Sequence, residues 1–226
     1  MALKENELNR QIAELITEHL RTGEKLPPEK ELTARFGVSR TALRDALNAY
    51  EAQGILTSVQ GSGRTVKMPN LTDQIINTWG IVLEAKPDIL FDILELRTSM
   101  EMAALPRMAE RIDTEQLQFM GAQVERMKEK AKRGETFMEE DRAFHMTMFH
   151  NAGNVLTEQL LIALWSLLNT QIATRHPDLM VVACQHEDLI KALARQDLAG
   201  LQQVTKEQLA DVRYRVINYM VQKSRL

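Results

Sequence analysis

Apolar residues recur at helical spacing from the start of the chain. Leu8, Ile12, Leu15, Ile16 and Leu20 share one face of a helix predicted over about residues 6–22, which Gly23 and then Pro27-Pro28 close. A short helix follows over 29–36, with Leu32 and Phe36 on its apolar side. Gly37-Val38-Ser39 reads as a tight turn, and Ser39 as the N-cap of a third helix over 40–53. Its apolar stripe is Ala42, Leu43, Ala46, Leu47 and Tyr50, and Gly54 ends it. The pattern then turns β-like at 55–59 and 64–68, with Gln60-Gly61-Ser62-Gly63 as the turn between. Helix, helix, turn, helix and hairpin is the order of a winged helix-turn-helix.

Beyond Pro69-Asn70-Leu71-Thr72, which reads as a connector, the period is helical to the end. About seven helices are predicted, over 72–84, 87–110, 113–133, 135–150, 154–174, 178–195 and 197–223. Breaks fall at Pro87, Asp113, Gly134, Gly153, Pro177 and Asp197, and Pro106 should kink the second of these helices. Short connections imply antiparallel neighbours. The expected fold is mainly α: a winged helix-turn-helix at 1–69, a linker at 70–76 and an all-helical antiparallel bundle at 77–226.

Composition adds boundaries. The chain has 226 residues, 44% apolar and 26% charged, which is ordinary for a folded protein. It contains no run of roughly 18 apolar residues that would span a membrane. The polar start Met1-Ala2-Leu3-Lys4 lacks a signal-peptide core, and the single cysteine, Cys184, cannot form an internal disulfide, so a cytoplasmic setting is expected. The net charge is −3. Up to residue 68 there are ten Lys and Arg against nine Asp and Glu, and thereafter eighteen against twenty-two. A nucleic-acid reader with this balance must gather its positive charge on one face.

The start of the third helix offers that face. Arg40 and Arg44 lie four residues apart, on one side, and a guanidinium fork can bond guanine O6 and N7 together. Thr41 suits a phosphate or a thymine methyl, Lys30 a phosphate, and Gly61 a close approach of the wing to the sugar-phosphate edge. Two Arg on a helix are by themselves ordinary solvated charges; the ordered motif around them is what favours double-stranded DNA.

In the helical half, Asp141 and His145 share a face, and His186 lies on a later helix. A carboxylate and two imidazoles converging in a bundle suit a divalent transition metal, zinc first among them, whereas local capping is the bland alternative. His150 reads as a helix end, and His19 and His176 as surface or boundary residues. Trp79, Trp165 and the twelve Met read as core filler, with Trp79 near the connector.

Residues Lys25-Leu26-Pro27-Pro28-Glu29-Lys30-Glu31-Leu32, Phe36-Gly37-Val38-Ser39-Arg40-Thr41-Ala42-Leu43-Arg44 and Gln53-Gly54-Ile55-Leu56 closely resemble the GntR family of bacterial regulators. The resemblance implies DNA contacts at Lys30, Arg40, Thr41, Arg44 and Gly61. The family usually carries Arg where Lys30 stands; lysine keeps the charge without the fork, so a phosphate contact is expected there. Asp141 to His145, His150-Asn151-Ala152-Gly153-Asn154 and His186-Glu187-Asp188-Leu189 resemble the FCD effector domain of the FadR-type branch, as do Glu95-Leu96-Arg97 and Glu101-Met102-Ala103-Ala104. That implies a metal held by Asp141, His145 and His186, and a small carboxylate effector met by Arg97, His145, His186 and Gln208. Gln208 stands where metal-binding members carry a fourth ligand, His. The expected protein is a homodimeric transcription regulator, a repressor of a double-stranded operator released by a sugar acid, hydroxy acid or dicarboxylate. The alternatives are a metal-dependent enzyme acting on a small organic acid and a ligand-free architectural DNA-binding protein.

Overall fold

In the computed structural model, which describes residues 2–59, 63–172 and 178–223, helix α1 (Ala2–Thr22) turns Leu8, Ile12, Leu15 and Ile16 inward. They pack on Leu26, Leu32 of α2 (Glu29–Phe36), Leu43 and Leu47 of α3 (Arg40–Ala52), and Leu56 of β1 (Leu56–Val59). Burying each such side chain contributes about 1.5–3 kcal/mol. Gly37 takes a left-handed φ of 64°, which stops α2, and the Ser39 side chain then accepts the Ala42 N–H at 3.2 Å to start α3. Strand β2 (Gly63–Val66) pairs antiparallel with β1 in the register Leu56↔Val66 to Val59↔Gly63. The segment after α1 joins this wing, the Leu26 N–H donating to the Arg64 carbonyl at 3.0 Å.

One residue pair reverses its expected placement. Leu20 is 41% exposed, whereas His19 is buried and its Nδ1–H donates to the Leu15 carbonyl at 2.8 Å. The inward face runs 12, 15, 16, 19, and position 20 has rotated off it.

The contacts divide the chain after Asn70. The second unit is helical throughout its described residues: α4 (Leu71–Ala85), α5 (Ile89–Arg111), α6 (Thr114–Lys132), α7 (Met138–His150), α8 (Val155–Ile172), α9 (Leu179–Ala194) and α10 (Leu198–Lys223). Residues 71–76, expected as linker, are the first turns of α4. The Leu71 N–H donates to Gln159 Oε1 and the Thr72 hydroxyl to the Gln159 carbonyl, both at 2.9 Å, which docks the start of α4 on α8. Helix α5 continues through Pro106. A capping box of Asp113 and Gln116 opens α6, and Asp178 caps α9.

Two apolar clusters fill the bundle. One gathers Met108, Met120, Met127, Phe144, Met148, Phe149 and Trp165; the other gathers Leu90, Ile93, Leu94, Leu164, Leu168, Val212 and Val216. Met108, Met120, Met127, Met148 and Trp165 are core, but Met68, Met138 and Trp79 are exposed, at 70%, 43% and 43%. Among the described residues no helix is long and apolar enough to cross a membrane.

Candidate functional site

Within the bundle, several helices carry a polar residue where their apolar stripe calls for a hydrophobic one. The inward run of α5 is Leu90, Ile93, Leu94, Arg97, Glu101, Ala104, Leu105 and Met108. On α10 it includes Thr205, Gln208, Leu209, Val212, Arg215 and Val216. His145 follows Phe144 on α7, and His186 sits between Ala183 and Leu189 on the buried side of α9. Burying such groups costs free energy unless each is paired. Arg97, His145, His186, Gln208 and Arg215 border one cavity, walled also by Trp165, Asn169 and Val182.

At one end of that cavity Asp141, His145 and His186 meet. His186 Nε2 lies 2.9 Å from Asp141 Oδ1 and 3.2 Å from His145 Nε2, and His145 Nε2 lies 3.3 Å from the same Asp141 oxygen. Ligands about 2.0–2.2 Å from one tetrahedral zinc ion stand roughly 3.4 Å apart, so this triangle is a slightly compressed face of such a tetrahedron. His186 Nδ1–H donates to the Val182 carbonyl at 2.8 Å, which orients the ring so that Nε2 faces the triangle. Phe144 wedges edge-on against both imidazoles, with ring centroids 5.5 Å from His145 and 4.8 Å from His186. The donor set and its spacing fit a divalent transition metal.

Electrostatics hold Asp141 in its ionised form and push His145 toward its neutral form. Burial alone would raise the Asp141 carboxyl, but hydrogen bonds and positive charge from His145 and His186 more than offset it and hold it well below the usual carboxylate range. Burial also pushes His145 down, against the pull of Asp141. Arg215 is lowered by burial, partly offset by Asp211 and Asp141.

The rest of the cavity is rich in donors and poor in acceptors. Arg97 Nε donates to Glu101 Oε2 at 3.0 Å, but its Nη1 is buried with no partner among the described residues. The same holds for Gln208 Nε2, Arg215 Nε and His145 Nδ1. Arg215 Nε is 3.3 Å from Asp211 Oδ2 but not aligned with it as a hydrogen bond. The free space is about 20 Å³, room for one water-sized group. The structure thus brings together Arg97, Asp141, His145, His186 and Gln208, all expected from sequence. Glu101 and Arg215 take inward places that the sequence reading did not assign. Arg215 lies seven residues from Gln208, two turns along one face, and that spacing was the available signal. His150 is elsewhere, ending α7 and paired with Glu158 at 3.0 Å.

In the first unit, Arg40, Thr41 and Arg44 are exposed on the opening turns of α3, opposite the buried Leu43 and Leu47. Lys30 is exposed near the start of α2. Arg44 is 63% exposed and its Nε donates to Glu29 Oε2 at 2.9 Å. Gly61 and His176 lie outside the described residues.

Comparison with known proteins accounts for both units. Residues 4–66 match the family of bacterial regulatory proteins of the gntR type, and residues 92–211 match the FCD domain. The transcriptional regulator LutR of Bacillus subtilis is 30% identical over 149 residues, covering 66% of this chain and 68% of that protein. A provisionally named L-lactate dehydrogenase operon regulatory protein of Escherichia coli is 26% identical, over 86% of this chain and 78% of that one. The transcriptional repressor NanR of Escherichia coli is 26% identical, over 77% and 69%. The solved structure of a GntR protein from Streptococcus agalactiae superposes with a TM-score of 0.66 at 22% identity, covering 93% of this chain and 99% of that one, and so shares the fold. These relatives regulate transcription and are not enzymes. The chain belongs to the GntR family, in the branch that joins a winged helix-turn-helix to an FCD domain, and is a DNA-binding transcription regulator.

Proposed function

We propose that the protein is a cytoplasmic homodimeric repressor that leaves its operator when a small organic acid occupies the bundle cavity. The observation that carries this reading is the surplus of buried donors around the triangle of Asp141, His145 and His186. Arg97, Gln208 and Arg215 present N–H groups that lack acceptors among the described residues. A carboxylate offers about four acceptor positions and the charge that two guanidinium groups favour. A sugar acid, hydroxy acid or dicarboxylate adds further oxygens. The relatives named for an L-lactate dehydrogenase operon and as a repressor support this choice of ligand and of sign.

Asp141, His145 and His186 would hold a divalent metal, zinc in the first instance. Bound there, it supplies a Lewis-acid position for a ligand oxygen. Arg97 and Arg215 orient the carboxylate, and Phe144 and Trp165 exclude water from the imidazoles. Gln208 contributes its amide donor to the ligand.

The cavity is too small for an organic acid as it stands. Entry therefore moves helices, with α10 carrying both Gln208 and Arg215. A ligand that fits only the widened bundle shifts the population toward that form, and DNA affinity falls by the same coupling free energy. At the DNA, Arg40 and Arg44 read bases, Thr41 contacts a phosphate or a thymine methyl, Lys30 meets a phosphate, and Gly61 admits the wing.

The test is a thermal melt of the full chain with zinc alone, with L-lactate and a panel of hydroxy acids, sugar acids and dicarboxylates alone, and with both. Zinc raising the melting temperature, and one acid raising it further, supports the reading. A melt indifferent to zinc and to every acid leaves an architectural DNA-binding protein.

A further inference from the structure

Beside the reading helix lies a cluster of charges that DNA contact alone does not explain. Arg64, on β2, is only 14% exposed, and all three of its nitrogens point back into the protein. Nη1 donates to Glu29 Oε1 at 2.5 Å, Nε to Glu51 Oε1 at 3.1 Å, and Nη2 to Asn48 Oδ1 at 3.3 Å. Glu51 and Asn48 belong to α3 and Glu29 to α2. The Ser58 hydroxyl on β1 also donates to Glu51 Oε1. One guanidinium thus joins the wing to both helices of the helix-turn-helix.

The other oxygen of Glu29 holds Arg44 Nε at 2.9 Å. No other partner engages Arg44 among the described residues, so its terminal nitrogens remain free on the exposed side. Hydrogen bonding from Arg64 is the main influence lowering the Glu29 carboxyl, ahead of Arg44. Glu29 is therefore anchored by the buried arginine and lends its second oxygen to the exposed one.

We infer that Arg64 is a positioning residue for sequence reading: through Glu29 it pre-orients the Arg44 guanidinium with its terminal edge turned outward. The inference rests on the reading that Arg44 meets a base. An arginine free to rotate loses rotamer freedom when it binds, and holding it beforehand removes part of that cost. Three of the five N–H groups of Arg64 are engaged inside the protein, so its first role is structural rather than as a phosphate contact.

The experiment compares binding of the full chain to two duplexes. One is the sequence the wild-type chain enriches from a randomised library; the other is poly(dI-dC). Arg64→Met removes a positive charge and Glu29→Gln a negative one, so non-specific affinity should fall in the first and rise in the second. The ratio of specific to non-specific affinity should fall in both, by about twofold to tenfold. In an Arg44→Ala background neither change should move the ratio further. A ratio that moves in opposite directions, that is unchanged, or that falls as much in the Arg44→Ala background overturns the inference. So does a salt slope reduced by about one in Arg64→Met, the mark of a lost phosphate contact. If Arg64→Met melts below the assay temperature, Glu29→Gln decides alone. Arg44→Ala by itself separates the two claims: an unchanged ratio there ends the base-reading role, whatever Arg64 does.

Discussion

The buried pair Arg97–Glu101 gives the sharpest energetic prediction. Its side chains are 4% and 2% exposed, and they are joined by one bond of 3.0 Å. Replacing Glu101 with leucine roughly keeps the volume and removes the only carboxylate bonded to Arg97 among the described residues. The guanidinium then stays in the core beside apolar α5 neighbours with its charge uncompensated, at a cost of about 3–5 kcal/mol. For a domain of this size each kcal/mol moves the melting temperature by about 2–4 °C, so a fall of roughly 6–20 °C is expected. Replacing both residues, with Arg97→Met and Glu101→Leu together, removes the stranded charge and should recover most of the loss. The double variant should fold yet fail to respond to an organic acid. Circular dichroism melts and urea titration of wild type, both single variants and the double supply the cycle. Glu101→Leu within about 1 kcal/mol of wild type, or a double variant as unstable as that single one, would refute the reasoning.

Three further outcomes follow from the same geometry. In metal-free protein, His145 has a folded pKa below its unfolded value, so stability present at neutral pH should be lost as pH falls below about 6.5. Asp141, also lowered, adds a second loss below about pH 4; a melting temperature flat between pH 7 and 5 would contradict the first step. Gln208→His places a third imidazole, and a fourth ligand, at the cavity and should tighten zinc by more than the about 10–100-fold that outer-shell changes bring, read by competition with a chelator of known affinity. Ser39→Ala removes the acceptor of the Ala42 N–H and should cost the winged unit about 1 kcal/mol, measured by urea titration, with sequence-specific binding weakened in step.

How much of this could be read from the chain depended on range. Helix ends are written in local chemistry: Gly37, Ser39, Asp113 and Asp178 stop or start helices within three or four residues of themselves. Asp141 and His145 at i and i+4 were equally legible. The convergence of His186 was not, because it depends on how α7 packs against α9 around Phe144. The helical period already ran from 72, inside the linker expected at 70–76, and α4 starts at Leu71, where Gln159, almost ninety residues on, bonds Leu71 and Thr72. Helix α7 begins at Met138 rather than 135, since the Glu135 N–H closes the end of α6 on the Lys130 carbonyl. Arg215 and Glu101 escaped notice because each reads as an ordinary helix charge. Only their register within an apolar stripe marks them as inward.

The central claim is that ligand in the bundle cavity controls DNA affinity. The direct measurement is fluorescence anisotropy of the wild-type-selected duplex, titrated with the acid that stabilises the protein, for wild type and for Arg215→Met. The wild type should release the duplex as the acid rises, while Arg215→Met should bind it with unchanged affinity and hold it at acid concentrations at least about tenfold higher. Identical release curves for the two proteins, or a wild type that keeps its duplex at saturating acid, would contradict the account.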